Sequence, residues 1–105
     1  MRFVETPIFT RIITRLLDDE DYRSLQIAMM LRPEQGPIIR GAGGLRKVRW
    51  AKAGSGKRGG IRVIYYWAPT EVVFFMLYAY SKNEQSDLTP TQARRLGQLV
   101  REEFK

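Results

Sequence analysis

Two neighbouring runs of β-branched and aromatic residues require a fold that is built on a sheet. They extend from Ile61 to Trp67 and from Val72 to Tyr80, with Ala68–Glu71 between them. Residues of these types favour strands, and so short a connection suits an antiparallel hairpin. We therefore predict a largely antiparallel sheet that contains this hairpin.

A third strand is predicted from Arg46 to Lys52, where cationic and apolar residues alternate. Because successive side chains of a strand point to opposite faces, Lys47 and Arg49 should share one face, and Val48 and Trp50 the other. A glycine-rich connection then leads into the first of the two apolar runs. These two strands should therefore form a second hairpin.

Two helices are predicted before the hairpins. A short strand, Phe3–Glu5, precedes the first helix, which has Thr6 as its N-cap and Pro7 as its first residue. The second helix begins with the carboxylates of Asp18–Asp21, which suit the positive end of a helix dipole, and it ends before Pro33. The apolar stripe of the first helix consists of Phe9, Ile12, Ile13, Leu16 and Leu17. The stripe of the second consists of Tyr22, Leu25, Ala28, Met29 and Leu31.

The last helix should begin at Thr89, which forms a capping box with Gln92. Its apolar stripe is Leu96, Val100 and Phe104. The order β-α-α-β-β-β-α predicts an α+β fold, a small single domain over residues 1–105. In this fold an N-terminal strand and a helical hairpin pack on the sheet, a C-terminal helix follows, and we expect all helices on one face.

The charge of the chain favours a polyanionic partner. It carries 18 Lys and Arg against 11 Asp and Glu, a formal net charge of +7. Nucleic acid, an anionic membrane or an acidic protein would suit such a charge. The absence of Cys and His argues against a metal site or a metal cofactor. No apolar run is long enough to span a bilayer and no secretory leader is recognisable, so we expect a cytoplasmic protein without a membrane partner.

The segment Gly54–Gly59 matches the pattern G-x-G-x-x-G. A dinucleotide-binding site would require a helix directly after it, whereas a predicted strand follows here. The phosphate-binding loop pattern also fails, because Ala51 stands where its first glycine belongs and Arg58 where its Ser or Thr belongs. We interpret the segment as a hairpin loop with Lys57 and Arg58 at its tip.

Three cations converge on one patch of the sheet if the second hairpin forms, and these are Lys47, Arg49 and Arg62. Alternating cations also mark the solvent face of an ordinary half-exposed strand. However, the stretch from Gly41 to Tyr66 contains no Asp or Glu, whereas a merely solvated face usually mixes both signs. Glu84, in the polar segment after the last strand, would be the only carboxylate near this patch. A plain solvated loop or a salt bridge to a neighbouring Lys is the alternative for Glu84.

Glycine-, arginine- and lysine-containing motifs extend over nearly the whole chain. They are Arg32-Pro33 with Gly36, Gly41-Ala-Gly-Gly-Leu-Arg-Lys-Val-Arg49, Gly56-Lys-Arg-Gly-Gly-Ile-Arg-Val-Ile-Tyr-Tyr66, and Lys82-Asn-Glu84 with Asp87-Leu-Thr89. In this order they resemble HigB-type toxins, which belong to the RelE superfamily of bacterial toxin–antitoxin systems. The resemblance implies a small α+β toxin that enters the ribosomal A site and cleaves mRNA there. It also implies a cognate antitoxin of the helix-turn-helix type, through which the complex would reach operator DNA.

The resemblance also implies site residues. Members of the family carry two cations on one strand, an arginine on the next strand, and a lysine that begins a late catalytic segment. These positions match Lys47, Arg49, Arg62 and Lys82. The sequence departs from the family at Asn83, where the best-studied members carry an arginine, and at Thr89, where they carry a tyrosine. These two departures leave open which group protonates the leaving group.

RNA can be cleaved without a metal when its 2′-hydroxyl attacks the adjacent phosphate. We expect Arg49 and Arg62 to stabilise that phosphate, because a guanidinium stays protonated and can bond in bidentate fashion. Proton transfer would fall to Lys47 or Glu84. The predicted catalytic set is Lys47, Arg49, Arg62, Lys82 and Glu84. The residues predicted to contact RNA or the ribosome are Arg46, Lys57, Arg58 and Asn83.

Two alternatives remain at this point. One is a toxin of the same fold that acts on a protein target such as a topoisomerase, and the other is an RNA-binding module without catalysis.

Overall fold

A four-stranded sheet with three helices makes up the fold in the computed structural model, which describes residues 1–51 and 60–104. The elements are β1 (Arg2–Glu5), α1 (Pro7–Leu16), α2 (Asp19–Leu31), β2 (Arg46–Trp50), β3 (Ile61–Ala68), β4 (Val73–Ser81) and α3 (Pro90–Glu103). The strand order is β1-β4-β3-β2, with β1 parallel to β4 and the other pairs antiparallel. This confirms the predicted α+β fold and its largely antiparallel sheet.

The predicted capping residues begin all three helices. The side chains of Thr6 and Asp18 each accept a hydrogen bond from the backbone N–H three residues further along. The Thr6 hydroxyl also donates to the carbonyl oxygen of Leu77 at 3.0 Å, so the start of α1 is tied to β4. Thr89 and Gln92 form the predicted capping box. Each cap satisfies backbone N–H groups that have no partner within the helix.

The helices lie on both faces of the sheet, which corrects the expectation that all of them share one face. The helices α1 and α2 cover the first face, where the buried residues include Phe9, Ile13, Leu25, Met29, Val63, Tyr65 and Phe74. The helix α3 covers part of the second face, where Val100 and the half-buried Leu96 and Phe104 pack with Ile64 and Phe75. The physical reason is that β3 and β4 are apolar on both faces, so each face needs a cover.

One residue of the predicted stripe of α2 is not buried. Leu25 and Met29 are fully buried, whereas Leu31 is 78% exposed. Leu31 follows Met29 by two positions, which is about 200° around the helix axis. The prediction for Leu31 was therefore wrong, because that position points away from the sheet.

The glycine- and proline-containing loop of residues 34–44 is held in place by hydrogen bonds to Leu45 and Lys47. The N–H of Ile39 donates to the carbonyl of Leu45 at 2.8 Å, and the N–H of Lys47 donates to that of Pro37 at 3.1 Å. Gly44 adopts a φ of +93°, and a Cβ there would lie 3.1 Å from the Tyr66 ring. This loop therefore fixes where β2 enters the sheet.

Candidate active site

Lys47, Arg49 and Arg62 lie on the second face of the sheet, and we call these three residues the cation face. Lys47 pairs with Ile64, which belongs to the core under α3, and Arg49 pairs directly with Arg62. Residues opposite each other in a ladder point to the same side of a sheet. On the other side, Arg62 pairs with Tyr80 of β4. Two arginines and a tyrosine thus form one row across β2, β3 and β4.

Arg62 is the most unusual member of this row, since it is only 8% exposed. Its Nη1 lies 3.5 Å from the carbonyl oxygen of the adjacent Ile61. Among the described residues, the salt bridges join Arg15, Arg46 and Lys47 to carboxylates, and none includes Arg62. A buried charge without a counterion is costly, and such groups concentrate at functional sites. Arg62 is therefore suited to binding an anion from outside the chain.

Lys47 pairs with a carboxylate that the predicted site did not include. Its Nζ lies 3.2 Å from Oδ1 of Asp87, and the same oxygen accepts a hydrogen bond from the N–H of Leu88 at 2.8 Å. The Leu88 N–H first, and then Lys47, hold the pKa of Asp87 below its ordinary value. Asp87 is thus an ionised carboxylate at neutral pH, and it lies beside the cation face.

A hydrogen-bond network holds the segment that carries Asp87. The side-chain amide of Gln85 donates to the carbonyl oxygen of Asp87 at 2.7 Å and to Oε1 of Gln92 at 2.6 Å. The Tyr78 hydroxyl donates to Oε1 of Gln85 at 3.2 Å. Since Gln92 also belongs to the cap of α3, these bonds join β4, the segment 82–88 and the start of α3. They fix Asp87 relative to the sheet.

Glu84 does not contact the cation face. Its Oε2 lies 3.8 Å from Nη2 of Arg15 at the end of α1, and its Oε1 accepts a hydrogen bond from Ser81 at 3.2 Å. The expectation that Glu84 is the only carboxylate near the patch was therefore wrong. Glu84 lies in the tight turn directly after β4, whereas the chain needs three more residues to bring Asp87 back to Lys47. Lys82 and Asn83 are exposed in the same turn.

Arg46 anchors the loop before β2. Its Nη1 donates to the carbonyl oxygens of Glu34 and Gly36 at 3.1 and 2.9 Å, and its Nη2 to Oε2 of Glu34 at 3.0 Å. Arg46 alternates with Lys47 along β2, so it belongs to the first face and not to the cation face. The other two residues predicted at the RNA interface, Lys57 and Arg58, lie outside the described residues.

A second surface feature, distinct from the cation face, is an apolar groove. This groove, of about 710 Å³, lies between the start of α1 and α3 and is lined by residues such as Pro7, Ile8, Leu77 and Leu99. Its lining is mostly apolar and includes Arg95, so it lacks the several converging cations that phosphate chemistry needs.

Within residues 1–51 and 60–104, no cluster of Asp, Glu, His or Cys could hold a metal ion. Among the helices of that same part of the chain, none is long and apolar enough to cross a membrane.

By its fold and its cation face, the chain is a small basic α+β domain that carries cations on one surface of its sheet. The family model described as the RelE toxin of the RelE/RelB toxin–antitoxin system matches residues 1–104, and the chain belongs to this family of toxins.

Two solved structures share its fold. A mutant of the E. coli toxin RelE in the free state has a TM-score of 0.56 and 16% identity, and the match covers 80% of this chain and 85% of that one. The toxin–antitoxin complex RelBE of E. coli, in its intact form, has a TM-score of 0.55 and 17% identity over 73% of this chain and 90% of that one.

Proposed function

We propose that this toxin is a ribosome-dependent endoribonuclease that cuts mRNA in the ribosomal A site and so inhibits translation. The observation that supports the proposal most is the buried Arg62, which has Arg49 beside it and no carboxylate partner among the described residues. The stretch around these arginines contains no Asp or Glu from residue 41 to residue 66. Family membership supports the same proposal, because RelE toxins are endoribonucleases.

The geometry supports a metal-independent cleavage in which the mRNA supplies its own nucleophile. Arg62 and Arg49 bind the scissile phosphate and stabilise the charge that grows on it. The Asp87 carboxylate takes the proton of the 2′-hydroxyl, and the 2′-oxygen forms a bond to phosphorus. The bond from phosphorus to the 5′-oxygen breaks, and the Lys47 ammonium protonates that oxygen. The products are a 2′,3′-cyclic phosphate and a 5′-hydroxyl.

The groups that transfer protons in this mechanism differ from those expected from the sequence. Sequence alone favoured Lys47 or Glu84, whereas the pair found at the cation face is Lys47 with Asp87 at 3.2 Å. Lys82 and Asn83 contribute to docking on the ribosome, together with Lys57 and Arg58.

We propose a cognate antitoxin as the protein partner, because the similar E. coli toxin is found in an intact complex with its antitoxin. The antitoxin is of the helix-turn-helix type and brings the complex to operator DNA, as the resemblance to HigB-type toxins implies. The same resemblance supports a place in the HigB branch of the superfamily and a cytoplasmic site of action.

One assay tests the proposal against its two alternatives. Purified ribosomes programmed with a defined mRNA are incubated with the toxin, and primer extension records cuts. Cuts that appear only when ribosomes are present support the proposal. Inhibited translation without cuts would indicate a non-catalytic RNA binder, and the absence of any effect on translation would indicate a toxin with a protein target such as a topoisomerase.

A further inference from the structure

Tyr80 has a buried hydroxyl that the fold does not use. The residue is 3% exposed, and its hydroxyl oxygen makes no hydrogen bond of full geometry within the described part of the chain, although the Asp87 carboxylate lies close enough to interact with it. Buried hydroxyl groups are nearly always paired, because leaving one unpaired costs free energy. A phenylalanine would fill the same space without this cost. The hydroxyl therefore needs an explanation outside packing.

The position of Tyr80 points to the cation face. Tyr80 pairs with Arg62 across β3 and β4, and its ring lies against that of Tyr78, with centroids 6.0 Å apart. Burial raises the pKa of Tyr80, the charge of the Asp87 carboxylate and a loose hydrogen bond to it raise the pKa further, and Arg62 and the N–H of Leu88 oppose these effects. Tyr80 in turn contributes to lowering the pKa of Asp87. The hydroxyl thus lies between a carboxylate and a guanidinium.

In the structure, Asp87 is engaged by two other donors. Its Oδ1 accepts from Lys47 and from the N–H of Leu88. An RNA phosphate bound at the cation face would compete with Asp87 for the ammonium of Lys47. The carboxylate would then lose a donor, and the neighbouring Tyr80 hydroxyl, which already interacts with it, could complete a full hydrogen bond.

We propose that Tyr80 is a positioning residue of the active site, whose hydroxyl donates to Asp87 when RNA phosphate draws Lys47 away. Tyr80 then keeps the carboxylate directed at the 2′-hydroxyl while Lys47 serves the leaving group. This inference rests on the proposed cleavage reaction. It gives an active-site role to a residue that no sequence motif indicated.

The test is Tyr80→Phe, compared with Tyr65→Phe as the matched control. Both tyrosines are buried in neighbouring strands, but the Tyr65 hydroxyl is satisfied, since it donates to Pro33 at 2.7 Å and accepts from Gly36 at 3.1 Å. Single-turnover cleavage on programmed ribosomes is measured over a range of toxin concentrations, and urea unfolding is measured in parallel. We expect Tyr80→Phe to lower the maximal rate about tenfold without weakening half-saturation or the unfolding midpoint. Tyr65→Phe should do the reverse, with a lower unfolding midpoint and an unchanged maximal rate.

A double-mutant cycle with Asp87→Asn shows whether Tyr80 acts through Asp87. If it does, the double variant cleaves no more slowly than Asp87→Asn alone, since residues that act as a unit are not additive. An unchanged rate for Tyr80→Phe, or additive losses in the cycle, would overturn the inference and leave the proposed function intact. A wild-type toxin that makes no cuts on programmed ribosomes would overturn the proposed function, and the inference with it.

Discussion

The two faces of the sheet are made by the same strands, but they differ in whether a charged side chain is buried there. Under α1 and α2 the first face is apolar, and its interior holds fully buried residues such as Phe9, Leu25 and Phe74. On the second face α3 covers the apolar part, while Arg62 is buried beside Arg49.

Burial on the first face stabilises the fold, because apolar area is removed from water. Burial of Arg62 on the second face cannot do so without a counterion. The first face thus serves stability alone, whereas the second face combines an apolar core under α3 with the cation face. A substitution in the first face should therefore leave cleavage unchanged, and one in the cation face should leave stability unchanged. The following substitutions test that separation, from the largest expected effect to the smallest.

The two carboxylates after β4 give the largest contrast. Asp87→Asn should lower the rate of mRNA cleavage about 100-fold, because an amide cannot accept the proton of the 2′-hydroxyl. Glu84→Gln should leave the rate unchanged, since Glu84 contacts Arg15 and Ser81 instead of the cation face. Cleavage on programmed ribosomes, measured by primer extension, checks both. If Glu84→Gln were the slower variant, the assignment of the base to Asp87 would be wrong.

Two leucines of α2 test the first face. Leu25→Ala should lower the free energy of unfolding by about 2–5 kcal/mol, because it leaves a cavity in a packed core. Leu31→Ala, on the exposed side of the same helix, should change it by less than about 0.5 kcal/mol. Urea denaturation measures both values. Under conditions where each variant is folded, cleavage should proceed at the wild-type rate, and a loss of activity in folded Leu25→Ala would break the separation of the faces.

The cap of α3 gives the smallest effect. Thr89→Ala should cost about 1 kcal/mol of stability, because the N–H of Gln92 loses its acceptor. Thr89→Ser keeps the hydroxyl and should restore most of that loss. Thermal unfolding followed by circular dichroism is the measurement. Equal unfolding temperatures for all three proteins would show that the cap contributes nothing.

Much of the fold could be predicted from local signals. Strand runs, alternation along β2 and the caps at Thr6, Asp18 and Thr89 each depend on residues close in sequence. The face chosen by α3 could not be predicted, because its stripe shows only that it packs on something apolar and both faces of β3 and β4 are apolar.

The arrangement of the cation face could also be predicted from local signals. Lys47, Arg49 and Arg62 share a face because of one hairpin and its period of two. The position of Tyr80 opposite Arg62 could not be predicted. The ladder between β3 and β4 shifts register between Ile64 and Tyr65, and this shift places Tyr80, instead of Ala79, opposite Arg62.

The position of Asp87 beside Lys47 could not be predicted, because it depends on how the segment after β4 folds back. That path is set by tertiary hydrogen bonds of Gln85 and Gln92, which no local pattern reveals.

The cation face is the proposed place of RNA cleavage, and a pair of arginine variants tests this proposal most directly. Arg62→Ala and Arg15→Ala are compared for single-turnover cleavage on programmed ribosomes and for urea unfolding. We predict that Arg62→Ala loses at least about 100-fold in rate with no loss of stability, because the phosphate loses its buried cation. Arg15→Ala, which removes an exposed cation from α1, should cleave like the wild type. A folded Arg62→Ala variant that cleaves at the wild-type rate would contradict the account.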